Sequence, residues 1–211
     1  MESDVDMSAL TDGAPVCLIV RAHPLHESLN GTLGAHLRAR AEARGWQVLV
    51  RDLYASDFAP ALTAAERASY QSGTFDQTGV AAEAAELARA EILILVFPTW
   101  WFGFPAVLKG WFDRVWAPGV AFDHAPGHGA IRPRLARLRH VLAVTTLGSP
   151  WWVDWLALHR PLPRILRRAV VGLCAPRARC RTLSLYQAEV VDGARVARFL
   201  ARIDRALSAV R

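Results

Sequence analysis

The chain carries a single lysine, Lys109, so its net charge of +6 over 211 residues is built almost wholly from arginine. The arginines crowd residues 160–181. Nucleic-acid binding is one use of such a patch, but no recognition motif accompanies it, and nucleic acid is not expected as a partner. A solvated face, or the docking of an anionic cofactor tail, fits the patch better. Cysteine is scarce too. Cys17, Cys174 and Cys180 show neither CxxC nor metal-ligand spacing, so no disulfide framework and no metal site is expected. Cys17 lies in an apolar run and reads as a small buried thiol. No apolar stretch approaches the about 20 residues of a bilayer-spanning helix; the longest, residues 92–97, has strand length. The first dozen residues, MESDVDMSALTD, are acidic and polar, whereas a signal peptide needs a basic start and an apolar stretch. They read as a frayed tail over residues 1–14, followed by one domain over 15–211, and the cytoplasm is the expected location. The glycine motifs GxGxxG and GxxxxGK[ST] are absent, which argues against a Rossmann dinucleotide turn and a P-loop.

What is present is an ordinary globular balance, 53% hydrophobic and 21% charged, in a length suited to one α/β domain. Residues 16–20 form a continuous apolar, β-branched run, as in a parallel strand buried on both faces. A helix follows from Ser28, with Leu29, Leu33 and Leu37 at spacing four, and ends near Gly45. Residues 46–50 give a second strand, and residues 55–78 are mixed and turn-rich. An alanine-rich helix over 80–90 leads into residues 92–97, the most apolar strand and hence the central one. The next helix opens at Pro105 and presents Leu108, Trp111, Phe112 and Val115 on one side. Residues 118–129 read as a loop rich in Gly, Pro and His, and residues 140–146 as a fourth strand. Residues 181–186 alternate as an edge strand would. The last helix buries Val196, Phe199, Leu200, Ile203 and Leu207. Strands alternating with helices predict a doubly wound, five-stranded parallel sheet.

In such a sheet, ligands sit beyond the carboxyl ends of the strands where strand order reverses; for the order 2-1-3-4-5 that point lies between the first and third strands. Three loops meet there. The first, with His23, Ser28, Leu29 and Asn30, brings polar donors to a helix N-terminus, which favours a phosphate, although Ser28 is also a good N-cap whatever binds nearby. The second places Trp100, Trp101, Phe102 and Phe104 directly after the central strand. Bulky aromatics in succession cannot all face inward in a short turn, so a flat ring system stacking on one of them is the better explanation, with Gly103 letting backbone N–H groups approach the ring's polar edge. The third, Thr145, Thr146, Leu147, Gly148 and Ser149, is small and polar where a backbone passes close to a ligand.

Taken together these residues resemble the NAD(P)H:quinone oxidoreductase family, the DT-diaphorase group. His23, Ser28 and Asn30 stand where that family has AHPxxxSxN. Residues 97–115, FPTWWFGFPAVLKGWFDRV, follow its FPxxWFGxPAxLKGWFxRV signature almost letter for letter. Gly119-Val120-Ala121-Phe122 matches the GxAF/Y that comes next. The likeness covers residues 16–186 and implies a flavodoxin-like fold and a homodimer with the site formed across the subunit interface.

It further implies that His23, Ser28, Leu29 and Asn30 hold the phosphate side of a flavin. Pro98, Thr99, Trp100, Trp101, Phe102, Thr145, Thr146 and Gly148 would border its ring. The flavin would be FAD or FMN, with FAD slightly preferred, and NADH or NADPH the co-substrate. The reaction implied is ping-pong, two-electron hydride transfer to a quinone or similar flat acceptor, with Gly148 and His159 steadying the reduced ring. Trp151, Trp152, Phe122 and His124 would border the acceptor. Leu147 replaces a glycine of the family's TTGG, and no tyrosine aligns with the family's active-site tyrosine. The cluster Trp151, Trp152 and Trp155 suits a flat acceptor or a hydrophobic dimer seam equally. Two rival functions are a flavin-binding regulatory subunit of a potassium-efflux transporter and a dedicated biosynthetic flavin reductase. Electron carriage without NAD(P)H fits poorly, because the acidic surface such carriers use is missing at +6.

Overall fold

Residues 16–20 are apolar, and in the computed structural model, which describes residues 13–70, 75–125 and 129–210, they form with Arg21 the first strand of a five-stranded parallel sheet. The chain runs β1 (Val16–Arg21), α1 (Leu29–Glu42), β2 (Gln47–Asp52), α2 (Ala64–Ser69), α3 (Ala81–Arg89), β3 (Ile92–Pro98), α4 (Ala106–Val115), β4 (Phe122–Ala125), β5 (Gly129–Pro133), β6 (His140–Leu147), α5 (Pro161–Arg164), α6 (Gly172–Cys174), β7 (Arg179–Tyr186) and α7 (Gly193–Ser208). The sheet order is β2-β1-β3-β6-β7, which is the expected 2-1-3-4-5 with β4 and β5 set apart as a hairpin.

Alternation along the strands divides the interior into two cores. On one face Cys17, Ile19, Ile94, Val96 and Val144 pack against Leu33 and Leu37 of α1 and Phe199, Ile203 and Leu207 of α7. On the other, Leu18, Val20, Leu93, Leu95 and Phe97 pack against Leu87 of α3 and Leu108, Trp111 and Phe112 of α4. Val196 and Leu200, expected to be buried with the last helix, are only half-buried. Burial of Cys17 pushes its thiol up to about 12, so it is inert; all three cysteines are free.

Several segments differ from expectation. Residues 118–129 contain strand β4, which pairs antiparallel with β5 through Phe122↔Pro133 and Asp123↔Arg132. Four residues mixed with Gly, Pro and His carry no periodicity to reveal it. The turn-rich stretch hides α2, whose start was legible as a capping box: the Thr63 hydroxyl accepts from Glu66 N–H and the Glu66 carboxylate accepts from Thr63 N–H. Residues 153–157 and 165–171, unassigned in the sequence, are π-helical turns. Strand β6 runs to Leu147, one residue beyond the expected 140–146, so Thr145 and Thr146 stand in the strand rather than in the loop that follows it. The N-terminal tail lies outside the described residues, apart from Gly13 and Ala14.

Helix α4, which follows the aromatic loop, is pinned to residues 59–66. Gly110 sits so close to Pro60 that a Cβ there would meet the proline backbone. The buried guanidinium of Arg114 donates to Glu66 from Nε (3.0 Å) and Nη2 (2.6 Å) and to the Ala59 carbonyl. Burial pushes the Glu66 carboxyl up, but Arg114 and Thr63 outweigh it and hold it below the ordinary value. A carboxyl depressed in the folded state contributes stability above its unfolded pKa and loses it as pH falls through the folded pKa. Glu66→Gln is therefore expected to cost about 3–5 kcal/mol near neutral pH, by leaving Arg114 buried without its counter-charge. The penalty should shrink in acid. Urea denaturation across pH checks both; a penalty independent of pH would contradict this account.

Candidate active site

The parallel register brings the strand ends level. Phe97 and Pro98 of β3 lie opposite Thr145 and Thr146 of β6, and Thr99 N–H donates to the Thr146 carbonyl at 2.8 Å. Ala22 N–H donates to the Val96 carbonyl at 3.0 Å, which sets the first loop at the same height. Two side-chain bonds then stitch these ends together. Buried Asn30 donates from Nδ2 to Thr146 Oγ1 at 2.9 Å, and the hydroxyls of Thr99 and Thr145 are 2.6 Å apart.

A cavity of about 420 Å³ opens above them. Of the expected residues, His23, Leu29 and Asn30 form its first wall, Pro98, Thr99, Trp100 and Trp101 its second, and Thr146 and Gly148 its third. Ser28 serves the scaffold: its hydroxyl accepts from Gly31 N–H at 3.1 Å and donates to the Leu25 carbonyl at 2.9 Å, capping α1. His23 Nδ1 accepts from Leu25 N–H at 3.0 Å, which fixes its ring.

The second wall is a strained turn. Trp101 and Phe102 take φ of +49° and +58°, and Gly103 N–H closes the turn onto the Trp100 carbonyl at 2.9 Å. That bond uses the Gly103 amide within the turn itself. Left-handed backbone costs a non-glycine residue about 1–2 kcal/mol. The result is a Trp101 side chain 99% exposed beside a cavity, with Trp100 44% exposed next to it. Strain of this kind persists where it serves a site.

Leu147, expected in the third loop, lines the cavity too, and Ala188 and Glu189, which were missed, complete it. Leu147 is the buried last residue of β6. Ala188 and Glu189 follow β7, whose carboxyl-end loop was left out of the crevice although it ends at the same edge. The Glu189 carboxylate lies 3.0 Å from where a Cβ on Gly148 would stand, so Gly148 leaves it room.

Other expected residues stand elsewhere. Thr145 is buried with its hydroxyl on Thr99, and Phe102 is half-buried in the turn. Phe122 is core, 7% exposed, and His124 stands edge-on to it and to Tyr70. Trp151 and Trp152 are half-exposed on the segment after β6 and do not border the cavity. His159 lines a separate groove with Trp155 and four arginines, away from Gly148. A tyrosine does stand at this edge, though far along the chain. Tyr186 ends β7, donates to buried Asp154 at 2.7 Å and accepts from Trp155 Nε1 at 3.0 Å. Burial, then the Asp154 bond and charge, raise its pKa, so the phenol keeps its proton. Among the described residues no cluster of His, Cys, Asp or Glu could hold a metal, and no helix is long and apolar enough to cross a membrane.

With this geometry the comparisons with known proteins agree. Residues 17–170 match the family model described as flavodoxin-like fold, and the chain belongs to that family. It is 36% identical over 105 residues to an uncharacterized NAD(P)H oxidoreductase of Escherichia coli (strain K12), covering 49% of this chain and 54% of that protein. It is 30% identical over 165 residues to NAD(P)H dehydrogenase [quinone] 1 of Cavia porcellus, covering 71% and 59%. The chain thus spans a little over half the length of these relatives. In fold it is similar to the NAD(P)H:quinone oxidoreductase from Methanothermobacter marburgensis, with a TM-score of 0.76 at 22% identity over 92% of this chain and 94% of that one.

The Asn30–Thr146 bond is expected to couple two residues distant in sequence. A double-mutant cycle of Asn30→Ala and Thr146→Val should give a coupling of about 1 kcal/mol in urea denaturation, the net worth of one buried hydrogen bond. Strict additivity would show that the bond does not hold the walls together.

Proposed function

We propose that the chain is a flavin-dependent NAD(P)H oxidoreductase that reduces a quinone or similar flat acceptor. The observation that carries this is the strained turn holding Trp101 wholly exposed over a cavity whose floor is polar. The residues fit a flavin on three counts. Apolar ring surface stands at one wall, the N-terminus of α1 at another, and Asn30 Oδ1 is a buried acceptor left without a partner.

His23, Leu29 and Asn30 would hold the phosphate side, where the helix dipole favours an anion. Trp100, Trp101, Thr99 and Gly148 would border the ring. FAD or FMN held there would supply two-electron hydride chemistry between NAD(P)H and the acceptor, and the two substrates would use one cavity in turn. The chain's own part is to orient the ring, exclude water from one face and surround it with fixed dipoles; no nucleophile or carboxylate pair is required. Gly148 keeps the Glu189 carboxylate at the rim rather than pushed aside. Phe122, His124, Trp151 and Trp152 lie off the cavity within one chain. His124, Trp151 and Trp152 are exposed and reach the acceptor from a second copy, in keeping with the dimer-interface site that the family resemblance implies, whereas Phe122 is buried in the core and does not.

Trp101→Gly tests the reading sharply. It relieves about 1–2 kcal/mol of left-handed strain and adds about 0.5–1 kcal/mol of unfolded-chain entropy, so flavin-free stability should hold or rise slightly. NADH-dependent reduction of a soluble benzoquinone should fall about tenfold or more, with flavin retention weakened. A variant that unfolds more easily yet keeps full activity would reverse the assignment and make Trp101 a structural residue.

A further inference from the structure

Beside the cavity lies a second groove of about 340 Å³, and its chemistry is distinct. Arg160, Arg164, Arg167 and Arg168 line it together with Trp155 and His159. Arg164 ends α5, and Arg167 and Arg168 lie in the π-helical turn that follows it directly, so all three line the same groove. Like charges so gathered repel unless something answers them. Among the described residues the only carboxylate near is Asp154, buried, 4.0 Å from Arg160 Nε and already accepting the Tyr186 hydroxyl. Arg164, Arg167 and Arg168 are exposed and have no ion pair there.

Three further observations show that the groove is built rather than incidental. His159 and Arg160 both have φ of +53°, a second pair of consecutive left-handed non-glycine residues, and this strain is what turns Arg160 back over the groove. Arg160 Nε is buried with no hydrogen-bond partner, an unspent donor. Trp155 is held from two directions, its Nε1–H bonded to Tyr186 and its ring face under the Arg160 guanidinium at 4.3 Å, while nearly half of it stays exposed. Guanidinium groups around an immobilised aromatic platform match a phosphate carried on a flat base.

The groove also adjoins the first cavity. Tyr186, which anchors Trp155, is two residues from Ala188 on the cavity wall, so their Cα atoms are at most about 7 Å apart. A dinucleotide with its nicotinamide in the cavity would extend past Tyr186 toward the arginines. Resting on the oxidoreductase reading, we propose that this groove binds the 2′-phosphate end of the pyridine dinucleotide, and that the protein uses NADPH in preference to NADH.

Isothermal titration calorimetry of the full chain with 2′,5′-ADP reads the groove whether or not a flavin is present. Binding by the wild type, stronger than that of 5′-AMP and weakened about tenfold or more in Arg167→Glu/Arg168→Glu, is the expected result. Arg167→Lys/Arg168→Lys should retain much of it. In turnover, the double Glu variant should raise the KM for NADPH about tenfold and move that for NADH less than twofold, with kcat kept. No binding of 2′,5′-ADP at low salt, equal binding of 5′-AMP, or equal losses for NADPH and NADH would each overturn the proposal. So would a variant that instead loses FAD while its NADPH-to-NADH ratio stays put, since the groove would then serve the flavin's own tail. A protein that binds 2′,5′-ADP but neither holds flavin nor oxidises NADPH would leave the groove standing and sink the oxidoreductase reading.

Discussion

Everything at the carboxyl edge of this sheet depends on the register of three strands. β1, β3 and β6 run parallel and end level, and the Asn30–Thr146 and Thr99–Thr145 contacts fasten the ends through side chains 116 and 46 positions apart. A slip of two residues in any strand would carry its loop about 7 Å along the sheet and open the crevice. The two cores supply the force that forbids such a slip, since the strands are buried on both faces.

On that rigid frame the protein places two strained turns, Trp101-Phe102 and His159-Arg160, each with positive φ at both positions. Each turn pushes a functional type of side chain out of the ordinary backbone path: an indole over the first cavity, a guanidinium over the second. The strain, about 1–2 kcal/mol for each left-handed residue, is small against the burial energy of the strands that support it. Tyr186 links the two regions, standing at the end of β7 between the wall that carries Glu189 and the π-helical turn that carries Trp155.

Much of this was legible in the sequence. Continuous apolar runs are what two-sided burial requires, so residues 16–20, 92–97 and 140–146 declared themselves as central strands, and the switch point followed from the order. Asn30, Trp101 and Thr146 were identifiable because polar or exposed aromatic residues at strand ends have no packing reason to be there, whereas Ser28 has one as the N-cap of α1. What escaped lacks periodicity or depends on tertiary contacts. β4 is four residues long, and the π-helical turns of residues 153–171 follow no 3.6-residue repeat. Glu189 is an exposed acid in a short turn, ordinary until the fold sets it against Gly148. Phe122 and His124 came from a letter pattern alone, and within one chain that pattern describes a hairpin packed on Tyr70. Tyr186 was invisible as a site residue because it lies 32 positions from its partner Asp154.

The claim on which the rest stands is that the crevice between β1, β3 and β6 holds a flavin. The most direct measurement is the visible absorbance of the purified protein, followed by titration of the flavin-free chain with FMN and with FAD and mass analysis of what is retained. The account predicts a yellow protein, or a colourless one that takes up one flavin per chain with quenching of tryptophan fluorescence. A folded protein that neither retains nor takes up either flavin would contradict it.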